Sequence, residues 1–268
     1  MATYTSKWKK EWNRMLADEK AYLKQGSTRK EPRLNSMVAR HVPDGLQEKL
    51  DAAFAKAFKL IFEKGTGIIE KTYDREGIRE QFDEARLSAH MRKGNGLRKV
   101  LWNARGSRAK NIVYSGIEGI GLGAAGIGLP DIPLFTGMLL KGIYEVALHF
   151  GYEYESEKEK YFILRIIEVA LKHGSALDAE NQALNEWIEE EKLPIGYDRD
   201  EQIERTSAAI SKELLYMKFL QGLPIVGALG GAYDPVYMQK ILSYAELKYH
   251  RRFLLEQGSD PDDGPIIA

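Results

Sequence analysis

Apolar residues recur every three to four positions through most of the chain, with charged and polar residues filling the intervals. That is the period of amphipathic helices, not of strands. The first pattern predicts a helix from an N-cap at Thr5 or Ser6 to Gln25, stopped by Gly26. Trp8, Trp12, Met15, Leu16 and Leu23 form its apolar face, and Lys7, Lys9, Lys10 and Arg14 crowd its start. Residues 26–35 are a polar linker. The stretch 44–65 then places Leu46, Leu50, Phe54, Phe58 and Ile61 at helical spacing, with Gly65 as its stop. Further helices are predicted over 76–93, from 134 to about Gly151, and over 157–174, 176–193, 199–220 and 236–257. Residues 258–268, SDPDDGPIIA after Gly258, read as a disordered tail. No segment alternates with period two, so the predicted fold class is all-α, a multi-helix bundle.

Two stretches break the helical grammar. Residues 115–133, SGIEGIGLGAAGIGLPDIP, and 221–235, QGLPIVGALGGAYDP, are apolar but crowded with glycine. Glycine inside a helix costs roughly 0.5–1 kcal/mol relative to alanine, so this density implies a compensating gain. Gly119 and Gly123 form a GxxxG pair, as do Gly227 and Gly231, and side-chain-free positions at that spacing let two helix backbones approach closely. Both runs close on an Asp before a Pro, Asp131 with Pro133 and Asp234 with Pro235, which reads as an N-cap followed by a first-turn proline. Capping accounts for Asp131 without an ionisable role. The likeness of the two runs, about a hundred positions apart, hints at an internal repeat. The expectation is two glycine-rich helical segments packed at the centre of the bundle, with Gly119, Gly123, Gly126, Pro130, Asp131, Pro133, Pro224, Gly227 and Gly231 as membrane or ligand contacts. In domain terms, 1–35 is an N-terminal helix and linker, 36–257 the main helical domain and 258–268 the tail.

Composition sharpens this picture in three places. The 39 basic and 39 acidic residues cancel overall, yet they are unevenly placed. Residues 1–134 hold 25 basic and 16 acidic residues, against 14 and 23 in 135–268, so net charges of +9 and −9 offset one another. Such a split suits self-association, docking of the basic half on an anionic surface, or simple attraction of the halves within one fold. From Leu87 to Ile117 there are seven basic residues and no acidic one. Arg98, Lys99, Arg105, Arg108 and Lys110 of that stretch are candidates for binding an anionic surface. Its position directly before the first glycine run favours a membrane over a nucleic acid, because a basic patch and an adjoining apolar segment attach together where either alone would not. The absence of cysteine excludes disulfides and thiolate metal sites and fits a reducing cytoplasm. No stretch offers 18 uncharged apolar residues, and MATYTSKWKKEW lacks the apolar core of a secretory signal. The expected localisation is cytoplasmic, either free or peripheral on the inner face of the membrane.

Catalytic chemistry is thinly represented. Gly121-Leu-Gly-Ala-Ala-Gly126 fits GxGxxG by letter, but Pro130 interrupts the helix that should follow and no strand precedes it, so no cofactor is expected. Five histidines are scattered. Glu145 and His149 stand one helical turn apart, as weak candidates for metal ligands, with no second pair to complete a site. The run Glu189-Glu190-Glu191 reads as a solvated helix face.

The segments GLGAAGIGLPDIP, HFGYEYE and KFLQGLPIVGALGGAYDP, with the weaker EWNRM and KEPRLNSMVARHVPDGLQEKL, resemble the EcsC family. This family is named after the third component of a bacterial operon that also encodes an ABC transporter. The resemblance covers most of the chain and implies a mostly helical, cytoplasmic or membrane-peripheral protein, with an integral membrane protein, an ABC transporter among the candidates, as an alternative partner to the anionic membrane surface. It carries over no catalytic residues. Three expectations follow: a non-enzymatic protein docking on an anionic membrane or a membrane protein, a soluble carrier holding a lipid between helices, or a hydrolase using Asp131 or Glu145 with His149.

Overall fold

A computed structural model describes residues 2–27, 45–90, 131–220 and 235–258, and throughout those residues the chain is helical or turns between helices. The elements are α1 (Ala2–Ser27), α2, α3 (Arg75–His90), α4 (Asp131–His149), α5 (Glu157–Ala170), α6 (Gly174–Glu190), α7 (Arg199–Leu220) and α8 (Pro235–Gly258). Helix α2 begins at Leu46–Leu60, passes a π-helical turn at Ile61–Gly65 and ends in Thr66–Glu70. The all-α expectation is correct. Most boundaries shift by up to four residues, α1 running past Gly26 to Ser27 and α4 starting at Asp131 among them, and two differ in kind. Helix α1 already runs through Thr5 and Ser6, and Gly65 does not stop α2, because the π turn absorbs it and the chain continues helically to Glu70.

Helix α8 is the axis of the bundle, packed against α1, α4, α5 and α6. Tyr244, Ala245, Lys248 and Tyr249 are all fully buried along it. Helix α1 lies antiparallel on α8: the Trp8 indole donates to the Leu254 carbonyl at 2.9 Å, Arg251 lies over the Trp12 ring, and Tyr22 packs on Tyr244. The tryptophans are therefore spent on the protein's own core. Leu16, expected on the apolar face, is 38% exposed, and its place is taken by the buried Glu19.

Helix α6 runs parallel to α8, with Tyr244 donating to Asn181 at 2.8 Å and Lys248 to Asn185 at 2.7 Å. Helix α5 runs antiparallel to α6, through Phe162 stacked on Trp187 and Arg165 paired with Glu180. Its start is fixed by Ser156, whose hydroxyl accepts from the Glu159 amide at 3.1 Å, with Glu157 and Glu159 in the first turn. Helix α7 packs on α2 and α5. It buries Thr206, Ser207 and Ser211, and each of these hydroxyls donates to the carbonyl four residues back, so none of the three is left unpaired inside the fold.

Helix α4 is apolar on nearly every side and lies between α2, α3 and α8. It ends in a Schellman motif: the Tyr152 amide donates to Ala147 and the Gly151 amide to Leu148, both at 2.9 Å, with Gly151 at φ 84°. A Cβ at Gly151 would stand 2.3 Å from the Phe82 ring, so α3 closes directly over that glycine.

Candidate functional site

The candidate site is built on the relation between α4 and α8, the two helices that follow the glycine-rich runs. Gly142 faces Leu242 so closely that a Cβ there would come within 2.7 Å of the leucine side chain. Two turns further along, Phe150 stacks on His250 and packs against Phe253. Position 142 of α4 and position 150 just past its end thus meet 242 and 250 of α8, in the same order. The helices are parallel neighbours in a register of about one hundred residues, and the chain enters both at one end of the bundle. Helix α6, parallel to α8, begins at that end too. Pro133 is buried in the first turn of α4, and α8 opens on Pro235, which suits the first-turn preference for proline.

Of the residues expected to make contacts, Gly119, Gly123, Gly126, Pro130, Pro224, Gly227 and Gly231 lie outside the described residues, as do Arg98, Lys99, Arg105, Arg108 and Lys110. Asp131 is the first residue of α4, but its side chain is likewise outside the description.

Glu145 and His149 are both described and both buried, on one face of α4. Burial raises Glu145 to about 7, against the opposing charge of Lys141, whose Nζ stands 4.0 Å away and donates to the Thr72 carbonyl. The same burial pushes His149 down to about 4. Among the described residues, no three His, Asp or Glu side chains are grouped as metal ligands.

A second polar cluster at the end where α6 and α8 start joins residues that sequence spacing could not connect. His173, the residue before α6, bonds through Nε2 to Glu213 of α7 at 3.0 Å. Burial acts to raise Glu213, but hydrogen bonds from His173 and Tyr237, with the charges of His173 and Lys240, outweigh it and hold the carboxyl below its ordinary range. Tyr237 and Lys240 belong to the first two turns of α8, so the cluster ties α6, α7 and α8 together beside the entry of the second glycine-rich run.

Elsewhere, one member of the run read as a solvated face, Glu191, is partly buried, and other charged side chains are internal. Glu191 accepts from both Arg252 and Lys158, while Arg252 also bonds Glu159 and lies over the Tyr152 ring. Lys248 is wholly buried and donates to Glu19 at 2.5 Å. Glu189 and Glu190 are exposed, as expected.

A helical bundle with paired parallel helices behind two glycine-rich runs is the architecture at hand, and comparison places it. The model of the EcsC protein family matches residues 6–254, and the chain belongs to that family. It is 25% identical over 146 residues to Protein EcsC of Bacillus subtilis (strain 168), a match covering 53% of this chain and 59% of that relative. The chain thus spans about three fifths of the curated relative it matches. No solved structure matches.

Proposed function

We propose that this EcsC-family protein is a non-enzymatic, membrane-peripheral docking protein that meets an anionic bilayer with the end of the bundle at which α4 and α8 begin. The observation that carries this reading is the parallel packing of those two helices. Because they start side by side, the points at which the glycine-rich apolar runs 115–130 and 221–234 of the sequence join the bundle are neighbours, and in the sequence the basic stretch holding Arg98, Lys99, Arg105, Arg108 and Lys110 precedes the first of them. Two apolar segments that join the bundle at a common end, and a cationic stretch that precedes one of them in the sequence, offer the two kinds of attraction that stable peripheral attachment needs. Among the described residues no helix is long and apolar enough to cross a membrane, which fits attachment through that end.

Liposome flotation tests this. The protein should float with vesicles containing phosphatidylglycerol and remain behind with purely zwitterionic ones. Neutralising Arg98, Lys99, Arg105 and Arg108 to glutamine should weaken partitioning by up to ~10³-fold, at about 1 kcal/mol per cation. Equal flotation of the quadruple variant, or none by either protein, overturns the reading. Lipid released from the purified protein in native mass spectrometry would favour the carrier in its place.

A further inference from the structure

Helices α1 and α6 are antiparallel neighbours on one side of the bundle, with Glu19 bonded to Asn185 and Gly26 set against Leu177. Their outward faces carry opposite charge. On α1, from Trp8 onward, the exposed ionisable side chains are Lys9, Lys10, Arg14, Lys20 and Lys24, with Asp18 alone opposing them. On α6 they are Asp178, Glu186, Glu189 and Glu190, and the helix contains no basic residue. None of those five cations pairs with a carboxylate among the described residues, and of the four carboxylates only Glu189 approaches a cation, Arg251 at 3.7 Å. Among the charges, alanines are exposed one helical turn apart on each helix, Ala17 and Ala21 on α1 and Ala179 and Ala183 on α6, with Leu16 and Gln182 beside them.

A basic helix face beside an antiparallel acidic one is self-complementary. A two-fold axis lying in the contact plane, parallel to the helices, carries α1 of one copy onto α6 of the other and keeps the register of the neighbours within a chain. Lys24 then stands level with Asp178 of the second copy, and Arg14 with Glu190. The alanines on both helices leave room for the close interaxial approach of packed helices, ~8–10 Å. An anionic bilayer fits this face poorly, because the α6 carboxylates would meet it together with the lysines.

We propose that the chain forms a two-fold homodimer in which α1 of each copy lies against α6 of the other. The interface stands independently of membrane docking, since it is on the side of the bundle and not at the end where α4 and α8 begin.

Sedimentation velocity over a concentration series decides it, read at about 0.01 M salt, where charges act over ~30 Å, and at about 1 M, where they act over ~3 Å. The wild-type chain should dimerise at low salt and dissociate at high salt. The variant K20E/K24E should dimerise at least roughly tenfold more weakly, with unchanged far-UV circular dichroism because both lysines are exposed. Adding D178K and E186K to that variant should restore the dimer by exchanging the signs across the interface. A wild-type chain that stays monomeric at low salt, K20E/K24E dimerising as well as wild type, or a folded quadruple variant that stays monomeric would each overturn the proposal. So would a monomeric wild-type chain whose binding to phosphatidylglycerol vesicles depends on Lys20 and Lys24, which would assign this face to a membrane.

Discussion

Glu145 and His149, one turn apart on α4, are driven in opposite directions by the same apolar surroundings, since removal from water disfavours whichever form is charged. For Glu145 the folded value, about 7, lies above the ordinary 4.5. Its contribution to stability is therefore fully present below pH 4.5 and is lost as pH rises through 7. For His149 the folded value, about 4, lies below the ordinary 6.5, so its contribution is present above pH 6.5 and lost as pH falls through 4. Glu145→Gln removes the first effect and keeps side-chain size. The expected outcome, read by urea unfolding at pH 5 and pH 8, is a variant more stable than wild type at pH 8 by about 2–3 kcal/mol, with the advantage shrinking toward pH 5. The same stability at both pH values would show that Glu145 is charged and compensated in the fold. None of this was legible from the spacing of the pair, which resembles that of metal ligands; what decides it is burial of nearly every side of α4. Lys248 escaped sequence reading for the same reason. A lysine in a polar-looking stretch, ELKYHRR, reads as solvated until the Glu19 and Asn185 that receive it are placed by two other helices.

At the level of elements, most of the bundle was readable because helix stops are local chemistry. Gly151 shows how. The apolar helix from 134 was expected to end near it, and the Schellman bonds and the φ of 84° show why a residue without Cβ is needed there. Gly151→Ala meets two penalties, the left-handed backbone and the Phe82 ring 2.3 Å from the new Cβ. It should destabilise the fold by about 1–3 kcal/mol in thermal or urea melts, while Gly196→Ala, also at positive φ but with open space around it, should cost less. Equal losses would mean that α3 does not pack tightly over α4. Gly65 marks the limit of such reasoning. It looked like an equally good stop, yet a π turn carries α2 through it, because the residues beyond, Ile69 among them, are buried in the core. The face of α1 was misjudged at Leu16 and Glu19 because a carboxylate can be internal once a buried lysine awaits it, and that lysine lies more than two hundred positions away.

For the whole molecule, the functional reading turns on direction: whether α4 and α8 run the same way. Parallel helices put the two points at which the glycine-rich runs join α4 and α8 at one end, and a dimer axis parallel to the helices would turn that end of each copy toward the same surface. Two weak attachments would then act on one membrane at once, and the second would be favoured by its high effective concentration. Antiparallel helices would place the runs at opposite ends and remove the shared docking face. The chain has no cysteine, so paired cysteine substitutions give unambiguous spin-label sites. Leu134 and Gln239 stand in the first turns of α4 and α8, and Glu256 stands in the last turn of α8. With a rise of 1.5 Å per residue and neighbouring axes ~8–10 Å apart, Leu134→Cys with Gln239→Cys should give an electron-spin distance of roughly 10–20 Å, label arms included. Leu134→Cys with Glu256→Cys should give roughly 35 Å. Pulsed dipolar measurement on dilute protein in high salt, where the proposed dimer is dissociated, keeps both distances within one chain. The reverse order, long to Gln239 and short to Glu256, would make the helices antiparallel and take away the ground on which both glycine-rich runs are assigned to one docking end.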